Sequence, residues 1–187
     1  SISFAITKSH KLLITKSLSM RKNLLLLAAA AVLSLTTANA QKEWNFSNFT
    51  AGSITTATTV DGLTISPTSE NSIDIDANKK SIDEYSFTQR LKFGGSGIPL
   101  TEGTMIPEGR HISFPVDGPV DITVYGMSSS STAERTLVVT DGTNEVGTFV
   151  NGGTAINKAE ISYTGGAATL YMYSASGGFN LYLVKYV

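Results

Sequence analysis

The stretch ITVYGMSSSSTAERTLVVTD, Ile122 to Asp141, decides the fold expected of this chain. Apolar residues alternate with polar ones on both sides of a tract of small polar residues, Ser128 to Thr132. Alternation with a period of two is typical of half-buried β-strands, and small polar residues are typical of turns. The stretch therefore predicts two strands and a compact loop, with Arg135 at the start of the second strand. Four residues are predicted to anchor these strands in a core: Ile122, Val124, Leu137 and Val139.

The same pattern continues along the chain after residue 40, where all 17 glycines lie. Glycine, often beside Asp, marks turns, and the runs between are rich in the β-branched and aromatic residues of strands. The predicted strands are Glu43–Asn48, Ile54–Thr59, Leu63–Ser66, Ser72–Asp76, Ser86–Phe93, His111–Val116, Val120–Met127, Thr136–Thr140, Val146–Val150, Glu160–Tyr163, Thr169–Ser174 and Phe179–Val187. Because no segment has a long helical period, we expect an all-β fold, a two-sheet antiparallel β-sandwich that is jelly-roll-like.

Alternation also assigns faces to individual strands. Phe87, Leu91 and Phe93 are predicted to point to one side of their strand. The last strand, Phe179–Val187, is apolar on both faces and is therefore expected at the centre of a sheet, covered on both sides. The longest irregular stretch, residues 94–109, is a loop of a length that is commonly functional.

The first 40 residues form no part of the predicted domain. Residues 1–19 are an upstream lead, which we take to be non-native because Met20 opens a signal-peptide pattern. Arg21 and Lys22 give the positive region, residues 24–35 the apolar region, and residues 38–40 an A-x-A cleavage site. Cleavage would release residues 41–187, a single domain, to the exterior, the cell surface or the periplasm.

Charge and cysteine content narrow the class of partner. Residues 41–187 hold nine Lys and Arg against fifteen Asp and Glu, a formal net charge of −6. This charge disfavours nucleic acid and anionic membranes as partners, and no later run is apolar enough for a membrane span. The chain has no cysteine, which excludes disulfides and thiol nucleophiles. Export without cysteine is compatible with a bacterial protein.

Metal binding and catalysis are weakly indicated. Asp74, Asp76 and Asn78 have calcium-loop spacing but lack the EF-hand Gly and Glu that should follow. No motif in the sequence indicates a cofactor. Two alternatives stay open for Asp74, Asp76 and Asp83: they bind a structural calcium, or they are carboxylates that face solvent. His111, the one histidine after the signal region, has no recognisable nucleophile partner and is expected on the polar face of a strand.

Ligand-binding candidates are tyrosines and basic residues. Tyrosine faces stack on the C–H face of sugar rings, and the guanidinium fork of arginine matches a carboxylate, as in a uronic acid. The candidates are Tyr171, Tyr173, Tyr125, Arg90, Lys92 and Arg135. The structural alternative is that the tyrosines are ordinary sheet-surface residues and that the arginine and lysine side chains pair with nearby carboxylates. For Arg135 we expect a structural tie to a neighbouring strand.

Several segments together resemble a known family. They are Trp44–Ser47, Thr59–Ile65, Phe87–Gly95, Arg110–Phe114, Tyr125–Leu137, Tyr163–Gly166, Tyr171–Ser176 and Phe179–Lys185. The chain resembles a carbohydrate-binding-like β-sandwich domain that occurs beside pectate-lyase-type enzymes and as stand-alone secreted proteins of polysaccharide-degrading Gram-negative bacteria.

The resemblance implies a secreted, non-catalytic module that binds polysaccharide, pectic or from another plant source. It transfers no catalytic residues, and the chain is too short after residue 40 for the β-helix of a lyase. The alternative is a structural or interaction module whose partner is another surface protein. A polysaccharide lyase or hydrolase is the third reading.

Overall fold

A computed structural model describes residues 41–94 and 97–187. The predicted lead (1–19) and signal peptide (20–40) lie outside the described residues. The described part contains thirteen strands: β1 (Lys42–Asn45), β2 (Gly52–Ile54), β3 (Thr58–Val60), β4 (Leu63–Ser66), β5 (Ile73–Ile82), β6 (Tyr85–Phe93), β7 (His111–Val116), β8 (Val120–Ser128), β9 (Arg135–Thr140), β10 (Glu145–Asn151), β11 (Asn157–Tyr163), β12 (Ala168–Ser174) and β13 (Phe179–Tyr186). A single 3-10 turn, Phe46–Asn48, follows β1.

The strands form two antiparallel sheets, so the predicted β-sandwich is confirmed. Sheet A has the order β11-β8-β13-β6-β5-β2, with β1 beside β13, and sheet B has the order β10-β9-β12-β7-β4-β3. From β6 to β9, and again from β10 to β13, successive strands alternate between the sheets, as in a jelly roll. No helix in the described residues is long and apolar enough to cross a membrane.

The core lies between the inner faces of the two sheets. It contains the four residues predicted from the opening stretch, and Trp44 and Phe46 also belong to it. Strand β13 is central, as expected: β8 pairs with one edge, and β6 and β1 share the other. Residues 179–184 are all buried, because neighbouring strands and side chains on both faces cover them.

Two sequence predictions about strands are wrong. The predicted strand Ile54–Thr59 is two short strands, since β2 pairs with β5 in sheet A and β3 pairs with β4 in sheet B. Phe87 does not share a cluster with Leu91 and Phe93. A bulge in β5, between Ala77 and Lys80, interrupts its pairing with β6 near Phe87, and alternation along the sequence gave no sign of it.

A second hydrophobic cluster, which we call the outer cluster, lies apart from the main core. Its buried members are Phe87, Tyr125, Met127, Tyr182 and Leu183. Their strands β6, β8 and β13 all belong to sheet A, and a bulge in β13 shifts its register there. Three partly buried residues pack against the cluster: Ile82, Tyr85 and Ile156. Aromatic residues on sheet A are therefore used for packing.

Candidate functional site

The candidate site is an open cleft beside Tyr171, which we call the Tyr171 cleft. In β12, Leu170 and Met172 belong to the core, so Tyr171 and Tyr173 point to the outer face of sheet B. Tyr171 is half-buried, whereas Tyr173 is only 6% exposed. Of the predicted tyrosine platform, Tyr171 alone presents part of its ring to solvent.

The turn between β9 and β10 forms one wall of the cleft. The Asp141 carboxylate accepts hydrogen bonds from the backbone amides of Thr143 (2.9 Å) and Asn144 (2.7 Å). These bonds hold the pKa of Asp141 below its usual value, because they favour the ionised carboxylate. The side chains of Thr143 and Asn144 are exposed at the rim, so hydroxyl and amide groups line the entrance.

Gly142 brings this turn close to the tyrosine ring. Its φ of +86° suits glycine, and a Cβ there would lie 3.4 Å from both Tyr171 Cε2 and Ile106 Cγ1. Ile106 is held nearby by the 94–109 loop, where Thr140 Oγ1 donates to the carbonyl of Met105 at 2.8 Å. The long loop noted in the sequence thus contributes an apolar side chain to the cleft.

The turn between β11 and β12 forms the opposite wall. The Tyr163 hydroxyl donates to the carbonyl of Gly166 at 3.0 Å, and residues 167–169 complete the lining. The cleft has a volume of about 520 Å³. This falls within the range of roughly 300–1,000 Å³ typical of ligand pockets.

His111 supports Tyr171 from the adjacent strand β7. The two ring centroids are 5.7 Å apart. His111 Nδ1 donates to the carbonyl of Gly109 at 2.8 Å, because a carbonyl oxygen only accepts. Burial lowers the pKa of His111 below its usual 6.5. The neutral imidazole therefore packs beside the tyrosine at neutral pH.

Tyr125 lies elsewhere and is not a platform. It is 2% exposed, in the outer cluster, and its hydroxyl donates to Asp83 at 3.0 Å. Burial and this carboxylate raise the pKa of Tyr125. The prediction of an exposed sugar-stacking ring is wrong here, because Tyr85, Phe87 and their neighbours cover the face.

The basic candidate residues also lie away from the Tyr171 cleft. Arg90 and Lys92 lie on β6 in sheet A, where both bind Asp76: Arg90 Nε at 2.8 Å and Lys92 Nζ at 3.2 Å. Both cations therefore pair with a nearby carboxylate, which is the structural alternative given for them in the sequence analysis. The hydrogen bond from Arg90 lowers the pKa of Asp76.

Arg135 contacts a turn and not the neighbouring strand to which a tie was expected. Its Nη1 donates to the carbonyl of Ser176, and its guanidinium lies against Gly177, in the turn before β13. The tract from Ser128 to Thr132 is the predicted compact turn: Ser128 Oγ donates to the carbonyl of Ala133 at 2.9 Å. Ser129 Oγ donates to the carbonyl of Gly178 at 2.9 Å, which also ties the tract to that turn.

Asp74, Asp76 and Asp83 do not form a common calcium site. Asp83 follows the end of β5, seven residues after Asp76, which is about 23 Å along an extended strand. Asp76 is occupied by its two cations, and Asp74 accepts hydrogen bonds from Ser53 (2.6 Å) and Ser72 (3.1 Å). Among residues 41–94 and 97–187, no cluster of three potential metal ligands occurs.

Sequence reasoning missed most of the cleft. Ile106, Asn144 and Tyr163 are far apart along the chain, and only the topology brings them to Tyr171. Two signals were available: the Asp141–Gly142 turn directly after β9, and the long loop of residues 94–109, which contributes Ile106.

Comparisons with known proteins reveal similarity only at the level of structure. No family model and no curated protein matches the chain. Among solved structures, the K1 cleaved adhesin domain of Lys-gingipain from Porphyromonas gingivalis W83 has a TM-score of 0.50 and 10% identity, covering 79% of this chain and 98% of that one.

Two carbohydrate-binding modules are also similar. The CBM22-1 xylan-binding domain from Paenibacillus barcinonensis Xyn10C has a TM-score of 0.46 and 17% identity, covering 80% of this chain and 94% of that one. The CBM36-1 domain of a multidomain xylanase from the hindgut metagenome of Trinervitermes trinervoides has a TM-score of 0.43 and 13% identity, covering 79% and 97%. At such identities structural similarity extends to the fold alone: the chain shares a β-sandwich architecture with the adhesin domain.

Proposed function

We propose that this domain is a non-catalytic module that binds carbohydrate in the Tyr171 cleft. The observation that carries the proposal is the partly exposed Tyr171, flanked by exposed hydroxyl and amide side chains in an open cleft. An aromatic face packs against the C–H face of a sugar ring, and polar groups at the rim bind its hydroxyls. The aromatic ring and the polar rim needed for this chemistry converge here.

The charge of the cleft favours a neutral segment of polysaccharide. Asp141 is its one charged residue within the described lining, and the lowered pKa keeps it ionised at neutral pH. An anionic sugar would be repelled at this position. Of the plant polysaccharides that the sequence suggests, a neutral glycan or methyl-esterified pectin therefore suits the cleft better than free polygalacturonate.

A non-catalytic role is supported by the state of Asp141. A general acid needs a raised pKa, and glycoside hydrolysis uses a pair of carboxyl groups at a fixed separation. Asp141 instead has a lowered pKa and is engaged by two backbone amides of its own turn. These bonds hold the turn that lines the cleft, so the role of Asp141 is structural.

Secretion is part of the proposal, supported by the signal-peptide pattern of residues 20–40. Mass spectrometry of the protein from the culture medium or periplasm should find Gln41 at the N-terminus. Recovery of a chain that retains residues 20–40 in the cytoplasm would contradict export.

A second candidate function is binding to another surface protein. It is favoured by Val150, an apolar residue that is 53% exposed on β10, an edge strand of sheet B. An edge strand offers free backbone groups to another chain. A stoichiometric protein captured from an envelope fraction, and lost with Val150→Ser, would support this function over carbohydrate binding.

Affinity electrophoresis tests the carbohydrate proposal. Gels containing xylan, mixed-linkage β-glucan, glucomannan or methyl-esterified pectin should retard the protein with at least one glycan. Tyr171→Ala should abolish the retardation, because the stacking face is lost, whereas Val150→Ser is the matched control and should run as wild type. No retardation with any glycan, or equal retardation of Tyr171→Ala, would refute the proposal.

A further inference from the structure

The lining of the Tyr171 cleft includes one side chain to which the proposed binding mode gives no partner. Tyr171 offers a stacking face, and the exposed Thr143 and Asn144 offer hydroxyl and amide groups to the hydroxyls of a sugar. Ile106 lies in the same lining but can neither stack nor form side-chain hydrogen bonds. A partly exposed apolar side chain inside a polar cleft suits a contact with an apolar part of the ligand.

Gly142 lies between this isoleucine and the tyrosine and leaves a corner open there. The position that a Cβ of residue 142 would take is 3.4 Å from Ile106 Cγ1, 3.8 Å from Ile106 Cδ1 and 3.4 Å from Tyr171 Cε2. Apart from residues 141–143 themselves, the nearest atoms are therefore all carbon, and a side chain at residue 142 would stand against both walls. We call Ile106, Gly142 and Tyr171 the apolar corner.

The backbone that carries Ile106 is fixed within a hairpin. In residues 99–108, the amide of Thr101 donates to the carbonyl of Ile106, and the amide of Glu108 donates to the carbonyl of Pro99, both at 2.9 Å. These bonds join the two arms of the hairpin on either side of its tip. The isoleucine therefore projects from an ordered backbone.

Two hydrogen bonds clamp this hairpin to sheet B beside the cleft. The amide of Met105 donates to the carbonyl of Gly142 at 2.9 Å, and Thr140 Oγ1 donates to the carbonyl of Met105 at 2.8 Å. Thr140 is 0% exposed, so water does not compete for its hydroxyl. The clamp places Ile106 against the turn that forms the cleft wall, and the apolar corner is thus built before any ligand binds.

Sugars differ in whether they offer a group that fits this corner. The face of a sugar ring carries C–H groups, which the tyrosine ring covers, while its edge carries mainly hydroxyl groups, which suit the polar rim. A methyl group on an acetyl group, on an ester or at the end of a 6-deoxy sugar projects from that edge as an apolar substituent. Removing such a methyl group from water between Ile106 and Tyr171 is worth about a fourfold gain in affinity.

We propose that the apolar corner selects polysaccharides whose sugars carry a methyl group, as an O-acetyl group, a methyl ester or a 6-deoxy sugar. Ile106 and Tyr171 contact the methyl group, and Gly142 leaves room for it. The inference rests on the proposed carbohydrate-binding function and adds the substituent that the same cleft recognises. These substituents are uncharged, which agrees with the ionised Asp141 in the lining.

Isothermal titration calorimetry with three pairs of sugars tests the proposal and identifies the source of the methyl group. Acetylated xylo-oligosaccharides are compared with the same sugars after mild alkali, and an oligogalacturonide is compared as its methyl ester and as its primary amide, both neutral. L-Rhamnose is compared with L-mannose, from which it differs only in lacking the 6-hydroxyl group. In at least one pair, the methyl-bearing member should bind about fourfold more tightly.

Variants at the corner should remove this preference. Ile106→Ala should reduce the ratio of affinities to about twofold or less, because one wall is lost, whereas Ile106→Val should keep most of it. Gly142→Ala should reduce the ratio likewise, since its Cβ stands in the corner. Ile98→Ala is the matched control and should keep the ratio, because Ile98 packs beside Gly109 in the same loop but outside the described lining of the cleft.

Three outcomes would overturn the proposal. Equal affinity within all three pairs, with measurable binding of the sugars that lack a methyl group, would refute the methyl contact and leave the carbohydrate-binding function standing. An unchanged ratio in Ile106→Ala, or an equal loss of the ratio in Ile98→Ala, would place the preference outside the corner. Binding of no sugar from any pair would refute the carbohydrate-binding function itself, and the methyl contact with it.

Discussion

Tyr171, on the outer face of sheet B, differs in its surroundings from the outward tyrosines of sheet A. On sheet A, Tyr125 and Tyr182 are 2% and 0% exposed and are packed into the outer cluster. On sheet B, Tyr173 is 6% exposed, whereas Tyr171 is only half-buried, in a cleft lined by turns. The same residue type at an outward strand position is thus a packing element in the outer cluster and, at Tyr171, the proposed ligand platform. What covers the strand decides between them.

Removing an aromatic ring from each face should give the largest difference in stability between the two faces. Phe87→Ala should lower the free energy of unfolding by about 3–5 kcal/mol, since a fully buried aromatic side chain is lost from the outer cluster. Tyr171→Ala should lower it by about 1 kcal/mol or less, because its ring is partly solvated. Urea denaturation of both variants measures the difference, and equal losses would contradict the assignment of the two faces.

Substituting one glycine near each face should give the next largest effects. A Cβ on Gly126 would lie 2.6 Å from Phe179 Cε1 and 2.9 Å from the carbonyl oxygen of Asn180, so Gly126→Ala should destabilise by about 1–3 kcal/mol through overpacking. Gly142→Ala should also destabilise, by about 1–2 kcal/mol, because its φ of +86° is strained for alanine, and in addition it should weaken glycan binding. Gel retardation should separate the two variants; unchanged glycan binding in Gly142→Ala together with lost binding in Gly126→Ala would reverse the account.

Removing a single hydroxyl compares the faces more gently. Tyr125→Phe loses the hydrogen bond to Asp83, a bond worth about 1 kcal/mol in stability. Tyr171→Phe keeps the stacking ring and removes only the hydroxyl. We expect it to retain both stability and most glycan binding. A Tyr171→Phe variant that loses binding as fully as Tyr171→Ala would show that the hydroxyl, rather than the ring face, carries recognition.

The smallest expected effect is a pH dependence of stability that arises from His111, which packs beside Tyr171. Burial lowers the pKa of His111 in the folded domain below 6.5, so as the pH falls the unfolded chain takes up a proton first. The contribution of His111 to stability is therefore complete above about pH 6.5 and is lost as the pH falls toward the folded value. His111→Gln, which can still donate to Gly109, should make the urea midpoint less sensitive to pH between about 7.5 and 5.5. An unchanged slope would contradict this role for His111.

Much of the fold could be predicted from the sequence because strand alternation and turn glycines are local signals. The opening stretch predicted its core anchors, and the central position of β13 followed from apolar residues on both faces. The split of residues 54–59 between two sheets was not predictable, since short polar strands carry little pattern.

The site was less predictable because it depends on contacts between distant segments. Alternation places both Tyr125 and Tyr171 on the outward faces of their strands. The packing of Tyr85 and Ile156 over one face, and the convergence of the β9–β10 and β11–β12 turns on the other, are properties of the topology. Bulges in β5 and β13 further altered the faces that alternation assigns.

The most direct test of the central claim maps neutral-glycan binding onto the two faces by NMR. The isotopically labelled protein is titrated with xylohexaose, cellohexaose and mannohexaose in turn, and backbone amide shifts are followed. At least one oligosaccharide should shift the amides of Gly142, Thr143, Asn144 and Thr169 around the Tyr171 cleft, and leave those of Tyr125 and Tyr182 in the outer cluster unchanged. Shifts confined to sheet A, or no shifts with any of the three, would contradict the account.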